Sequence, residues 1–236
     1  MSEITILIPV YNESKTILLI LEKIRQNRAY LPSSKVIVID DGSNDGTFEI
    51  LESNKNLYDT LIRNSKNKGK GFALKVGLLE VKSEYVLIQD ADLEYDPFEI
   101  PRLWGYVKNN NIDLLMTTRL SGSSLNRIHY YWHKVGNKFI TTFFNIFNNT
   151  TYSDIYSGYL IFRYKNLKSR KLIFNGWGQQ AEILTFLTTY SSRIFEAPIA
   201  YYGRTYDEGK KIRFIAVFKV LTAILFTKLR SLFYKN

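Results

Sequence analysis

The chain contains no cysteine among its 236 residues. Disulfide bonds and thiolate metal sites are therefore excluded, and a reducing compartment such as the cytosol is compatible with the composition. The sequence has only two histidines, His129 and His133, so a metal site would depend mainly on oxygen ligands. A basic leader is also missing, because Met1 runs directly into an apolar stretch at residues 4–8 that is flanked by Glu3 and Glu13. This start is typical of a first buried strand rather than of a signal peptide.

The C-terminal segment lacks acidic side chains and long apolar runs. After Glu208 there are seven Lys or Arg residues and no Asp or Glu, and the net charge of the whole chain is +10. Residues 210–234 show helical apolar spacing, but Lys219, Lys228 and Arg230 interrupt the roughly 18 apolar residues that a spanning helix needs. A basic amphipathic helix at 210–236 predicts binding to an anionic phospholipid surface, and the alternative is docking on the protein's own core.

Apolar segments of two periodicities alternate along the chain. With 45% hydrophobic residues, the chain has enough apolar side chains for one large core. The pattern predicts strands at 4–10, 36–39, 57–63, 85–88, 112–118, 159–163 and 193–200. It predicts helices at 14–28, 47–53, 71–81, 98–109, 127–148, 179–190 and 210–234. Such alternation favours an α/β fold with a mostly parallel sheet, which binds its ligands at the carboxyl ends of the strands.

An acidic stretch follows the predicted strand 85–88. Asp90, Asp92 and Glu94 alternate with apolar residues, so in an extended backbone all three side chains would point the same way. Carboxylates are the ligands that Mg²⁺ and other hard cations prefer. The sequence therefore predicts a cation site here, and the alternative is a solvated acidic loop that caps the next helix.

Other strand ends also carry polar side chains. The first two are followed by Tyr11-Asn12-Glu13 and by Asp40-Asp41-Gly42-Ser43, and Arg119 follows the fifth. Lys68 and Lys70 lie among glycines just before a helix, where cations and backbone N–H groups favour phosphate. The alternative is a basic surface turn. The composition of residues 121–124 is that of a flexible loop.

These motifs, taken together, resemble a known family. The matching stretches are Ile8-Pro9-Val10-Tyr11-Asn12-Glu13, Asp40-Asp41-Gly42-Ser43-Asn44-Asp45-Gly46-Thr47, Asn67-Lys68-Gly69-Lys70-Gly71 and Asp90-Ala91-Asp92-Leu93-Glu94. In order and spacing they resemble the inverting family 2 glycosyltransferases with a GT-A fold. Residues 131–137 and 203–212 look like the branch that contains dolichyl-phosphate mannose and polyprenyl-phosphate glucose synthases.

The resemblance implies roles for donor-binding residues. Pro9, Tyr11 and Glu13 would frame the nucleoside, and Asp40 or Asp41 would accept hydrogen bonds from its base or ribose. Lys68, Lys70 and Ala91 belong to the matching motifs on the donor side. Asp90, Asp92 and Glu94 would hold Mg²⁺ or Mn²⁺ on the diphosphate, although many polyprenyl-phosphate members have Gln at the position of Glu94. Arg204 and Lys210 match a loop that closes over the donor.

The acceptor side leaves two possibilities open. Arg119 and Arg127 match arginines that bind an acceptor phosphate in the resembled enzymes. A lipid phosphate is already ionised near neutral pH, whereas a sugar hydroxyl needs a general base. Asp154 and Glu182 are the candidates for that base, although Glu182 has equal claim to lie on a solvated helix face.

The resemblance implies a metal-dependent inverting glycosyltransferase that moves a hexose from a UDP- or GDP-sugar to polyprenyl phosphate. We expect it to act at the cytoplasmic face of the membrane as a peripheral protein. Residues 1–119 would form the nucleotide-sugar half and 120–209 the acceptor half of one domain. The alternatives are transfer to a glycan hydroxyl, a non-catalytic scaffold and a nucleic-acid binder. The last is disfavoured because no RNA-binding signature occurs and the acidic stretch would repel phosphate unless a metal ion intervened.

Overall fold

The computed structural model describes residues 3–120, 131–203 and 215–233. Seven strands form one sheet: β1 Ile4–Val10, β2 Ser34–Asp40, β3 Thr60–Arg63, β4 Tyr85–Ile88, β5 Leu114–Thr118, β6 Leu160–Arg163 and β7 Ile194–Pro198. Strands β1 and β4 are wholly buried, as expected for apolar strands covered on both faces.

The strand order is β3-β2-β1-β4-β6-β5-β7. Strands β1 to β4 pair in parallel, whereas β6 runs antiparallel to both of its neighbours, β4 and β5. Strand β5 therefore points the same way as β4, and β7 pairs with it in parallel. The expected mostly parallel sheet is confirmed, and the carboxyl ends of six strands lie at one edge.

Helices cover both faces of this sheet. They are α1 Ile17–Asn27, α2 Thr47–Ser53, α3 Lys70–Leu79, α4 Ile100–Asn110, α5 Tyr131–Asn148, α6 Lys165–Lys168, α7 Gln179–Tyr190 and α8 Ile215–Phe233. Buried side chains of α1 and α4 belong to one hydrophobic cluster, and those of α3, α5, α7 and α8 belong to another. Each cluster contacts one face of the sheet because successive strand residues point to opposite faces.

Most of the predicted elements are present with small shifts at their ends. The bounds of β1, α2, β4 and α7 coincide with those expected from the sequence. Strand β3 starts at Thr60 rather than at residue 57, because residues 55–57 form a 3-10 turn. The predicted loop 121–124, the start of the helix expected from 127, and the first residues of the segment 210–234 lie outside the described residues.

Helix α8 docks on the protein through one face. Val220, Ala223, Ile224 and Thr227 are buried, and the helix packs against α7 and α5. In the described parts of the chain, no helix is both long enough and apolar enough to cross a bilayer.

Candidate active site

The loops after β1 and β2 are joined by side-chain hydrogen bonds. The backbone N–H of Asn12 donates to Ser43 Oγ at 2.9 Å, and that of Glu13 donates to Thr47 Oγ1 at 2.9 Å. Pro9 is buried within β1, whereas Tyr11 exposes 43% of its surface directly after the strand. The structure therefore presents Tyr11 at the expected edge, while the roles of Pro9, Tyr11 and Glu13 stay predictions.

The two aspartates after β2 are buried and bonded within the protein. Asp41 Oδ2 accepts the N–H groups of Lys68 and Gly69 at 3.0 and 2.7 Å, and its Oδ1 accepts Asn64 Nδ2 at 2.7 Å. Asp40 accepts the N–H of Ser43, and the Nε atom of Arg63 lies 3.7 Å from its Oδ2. Asp41 thus fixes the glycine-rich loop before α3, and contact of either carboxylate with a base or ribose stays a prediction.

The glycine-rich loop before α3, residues 67–70, is called the lysine loop below. It lies against the acidic stretch at residues 90–94. Lys70 Nζ is 2.5 Å from Asp90 Oδ1, which is an ion pair between the first residue of α3 and the loop that follows β4. Lys68 instead places its ammonium group 4.2 Å from the centre of the Phe72 ring. Lysine and carboxylate from two separate motifs therefore meet at one point, and diphosphate binding there stays a prediction.

Gly69 is required at the turn into α3. Its φ is +97°, and a Cβ atom there would lie 2.6 Å from the carbonyl oxygen of Asn175, which accepts the N–H of Gly71 at 2.8 Å. We expect Gly69→Ala to destabilise the protein by about 1–3 kcal/mol more than Gly46→Ala, because crowding adds to backbone strain. Gly46 is the matched control, since its φ is +93° and no atom lies within 4 Å of its Cβ position. Urea unfolding of both variants measures this, and equal losses would contradict it.

The three acidic side chains after β4 are not in the extended arrangement expected from their spacing, and their role as metal ligands stays a prediction. Leu93 has φ +61°, so the backbone turns instead of staying extended. Asp92 Oδ1 accepts the N–H of Glu94 at 3.1 Å, and Glu94 Oε2 accepts the hydroxyl of Tyr201 at 2.7 Å. With Asp90 paired to Lys70, each carboxylate has a different partner. Among the described residues, no group of three or more acidic or histidine side chains is placed to hold a metal ion.

Arg119 and Asp154 form a buried ion pair at the same edge. Arg119 Nε and Nη2 donate to the two oxygens of Asp154 at 2.6 and 2.9 Å, and Asn137 Nδ2 donates to Oδ1 at 2.7 Å. Burial of Asp154 opposes its ionisation, but the charge of Arg119 and the hydrogen bonds outweigh burial, so its pKa lies below the ordinary value of 3.8. A carboxylate held in this way is a weak proton acceptor.

Glu182 anchors two segments. It is completely buried, so the alternative of a solvated helix face is wrong. Its carboxylate accepts the N–H groups of Ile173 and Phe174 and pairs with Arg230 Nη1 of α8 at 2.9 Å. Burial raises its pKa despite these partners. The side chain thereby links α8 to the segment that contacts the lysine loop through Asn175.

Tyr201 connects the acidic stretch to the pair of Arg119 with Asp154. The sequence did not predict this contact. Its hydroxyl donates to Glu94, and its ring lies 4.9 Å from the guanidinium carbon of Arg119. The ring also packs on Tyr95, with their centroids 5.1 Å apart. Nothing in the sequence around residue 201 distinguishes this tyrosine from the other sixteen. The sequence also did not predict Asn137 as a partner of Asp154, although Asn137 lies in the family-like segment at residues 131–137. Arg127, Arg204 and Lys210 lie outside the described residues.

Two named relatives are similar to this chain over most of its length. A low-salt glycan biosynthesis hexosyltransferase of Haloferax volcanii is 27% identical over 205 residues, which are 85% of this chain and 48% of the relative. An undecaprenyl-phosphate 4-deoxy-4-formamido-L-arabinose transferase of Proteus mirabilis is 27% identical over 217 residues, covering 89% of this chain and 63% of that protein. The chain thus spans about half to under two thirds of the length of these relatives.

Solved structures of the same architecture are also found. Glucosyl-3-phosphoglycerate synthase from Mycobacterium tuberculosis, solved with Mn²⁺, UDP and phosphoglyceric acid, superposes with a TM-score of 0.73 at 19% identity over 96% of this chain and 78% of its own. Mannosyl-3-phosphoglycerate synthase from Rubrobacter xylanophilus gives a TM-score of 0.72 at 15% identity, covering 99% and 75%. At these identities the likeness shows the fold, and it confirms the expected GT-A architecture.

The family model described as Glycosyl transferase family 2 matches residues 5–170. That range includes the loops after β1, β2 and β4, the lysine loop and the pair of Arg119 with Asp154. The chain therefore belongs to glycosyl transferase family 2.

Proposed function

We propose that this enzyme moves a hexose from a UDP- or GDP-sugar to polyprenyl phosphate, with inversion, at the cytoplasmic face of the membrane. Residues 1–119 bind the donor, 120–209 the acceptor, and the basic C-terminal helix attaches the protein to the membrane. The Proteus relative, which is named for action on undecaprenyl phosphate, supports this acceptor class.

The choice of acceptor rests on one observation: both candidate bases are already held by hydrogen bonds and ion pairs within the protein. Asp154 is held by Arg119 and Asn137, and Glu182 by two backbone N–H groups and Arg230. A sugar hydroxyl needs a base within reach, whereas a phosphate monoester ionises with a second pKa of about 6 and brings its own negative oxygen. The arrangement therefore favours a lipid phosphate as the nucleophile.

The donor side fits a divalent ion bound by fewer carboxylates than the sequence predicted. Mg²⁺ is commonly held by one or two carboxylates together with substrate phosphates. Asp90 and Asp92 supply such oxygens, and Glu94, bonded to Tyr201, is not needed. Bound Mg²⁺ or Mn²⁺ would neutralise charge on the departing nucleoside diphosphate. The M. tuberculosis synthase was solved with Mn²⁺ or Mg²⁺ and UDP, which supports this choice of ion.

In this proposal Lys70 pairs first with Asp90 and then with a phosphate of the donor. Its ammonium group neutralises Asp90 in the structure, and it lies within the loop that would face the diphosphate. When donor and metal bind, the same ammonium group is placed to pair with a phosphate oxygen while Asp90 binds the ion. This exchange keeps the local charge balanced in both states.

The test is a transfer assay with matched acceptors. Purified enzyme, Mn²⁺ or Mg²⁺ and labelled UDP- and GDP-hexoses are supplied with polyprenyl phosphate or with the corresponding polyprenol. We expect a labelled lipid only with the phosphate, no product after chelation of the metal, and an anomeric configuration opposite to that of the donor. Transfer to a glycan hydroxyl with no product on polyprenyl phosphate would establish the other acceptor class.

A further inference from the structure

Helix α8 is apolar on its outward side as well as on its docked side. Opposite the buried residues runs a stripe of large apolar side chains with exposures from 38% to 84%: Phe218, Leu225, Phe226, Leu229, Leu232 and Phe233. At about 100° per residue, most of these fall on one line along the helix. A soluble helix docked through one face normally presents polar residues on the other.

Helix α5 also carries large apolar side chains on its outward side. Its buried residues are Ile140, Thr141, Phe144 and Asn148. The opposite side carries exposed apolar residues, among them Trp132 at 77%: Tyr131, Trp132, Val135, Phe139 and Ile146. Helices α5 and α8 pack against each other, so two outward apolar faces belong to one pair of helices. Exposed apolar groups on this scale are typical of an interaction surface.

The charged side chains that border these two faces are all basic. Neither α5 nor α8 contains an Asp or Glu, whereas Lys134 and Lys138 lie along one edge of the α5 face. Lys219 and Lys228 lie on either side of the outward stripe of α8. An apolar face bordered by lysine matches an anionic phospholipid surface, and tryptophan and tyrosine are enriched at the level of the headgroups.

We propose that the outward faces of α5 and α8 together form a single docking surface for an anionic phospholipid bilayer, on which both helices lie flat. The sequence predicted attachment by the C-terminal segment alone, and the structure adds α5. A second copy of the chain is a poorer occupant, because it would bring lysine-bordered faces together with no carboxylate on either helix to pair with them. The inference deepens the membrane location proposed above.

Vesicle binding by the full chain tests this proposal without using transferase activity. We expect co-sedimentation with vesicles of 30% phosphatidylglycerol in phosphatidylcholine and at least about tenfold weaker binding to phosphatidylcholine alone, because each cationic residue near an anionic surface strengthens binding. The emission of Trp132 should shift to shorter wavelength on binding, and Trp132→Phe should remove that shift although Trp104 and Trp177 remain.

Paired substitutions separate the two helices. Phe139→Ser with Ile146→Ser in α5, and Leu225→Ser with Leu229→Ser in α8, should each weaken vesicle binding by at least about tenfold, since each removes two exposed apolar side chains that the bilayer would bury. Leu79→Ser is the control, because Leu79 is 82% exposed and belongs to α3 rather than to α5 or α8. Unchanged binding of the α5 variant would overturn the two-helix surface. Lipid-independent dimers in light scattering, dissociated by the same substitutions, would assign the face to a second copy instead.

Discussion

Asp92→Asn should lower kcat/KM by about 100-fold to 1000-fold while leaving the fold intact. Removing one group that stabilises charge in a transition state typically costs this much. The amide oxygen of asparagine can still accept the N–H of Glu94, so the turn after β4 keeps its hydrogen bond. The measurement is the transfer rate at several metal concentrations, together with the melting temperature.

Glu94→Gln is the matched comparison for Asp92→Asn. Glu94 accepts the hydroxyl of Tyr201, and a glutamine oxygen at the same place would accept it too. We therefore expect a much smaller loss of activity than in Asp92→Asn and little change in the metal concentration that gives half-maximal rate. Equal losses in the two variants would mean that all three carboxylates act together, as the sequence alone suggested.

Arg119→Met should destabilise the protein by about 3–5 kcal/mol, because it leaves the fully buried carboxylate of Asp154 without its counter-charge. Lys108→Met is the control, since Lys108 pairs with Glu3 on the surface and should lose no more than about 1 kcal/mol. Urea unfolding at pH 7 measures both. The double variant Arg119→Met with Asp154→Asn should recover part of the loss, and no recovery would show that the charge of Asp154 is not the cause.

The loss in Arg119→Met should shrink as the pH falls. In the native protein the pKa of Asp154 lies below its ordinary value of 3.8, so its contribution to stability is present above that value and is lost at lower pH. Without Arg119, burial raises the pKa above 3.8, and protonation then removes the unpaired charge. Unfolding free energies of the two proteins should therefore approach each other between pH 7 and pH 4, and a constant difference would contradict this explanation.

Local sequence patterns were sufficient for the framework of the fold. The apolar runs of β1 and β4 are continuous and end at polar motifs, so their bounds follow from burial alone. The placement of Arg119 at the same edge as the acidic stretch followed from strand direction. The sequence did not reveal that β6 would be inserted in the opposite direction, because a four-residue apolar strand reads the same in either orientation.

Side-chain geometry at the site was predicted less well. Alternating carboxylates suggested one cluster, but Lys70 and Tyr201, from distant parts of the chain, draw Asp90 and Glu94 in different directions. The sequence left open that Glu182 lies on a solvated helix face, yet α8 and the segment before α7 bury it. Such partners are set by tertiary packing, which the spacing of residues within one segment does not encode.

The position of β6 also determines when the sheet can be completed during synthesis. Leu160 pairs with Ile88 of β4 on one side and with Met116 of β5 on the other. Until residues 160–163 leave the ribosome, both older strands expose an unpaired edge that can recruit another chain. We therefore expect nascent chains that end before β6 to aggregate more readily than chains that include it.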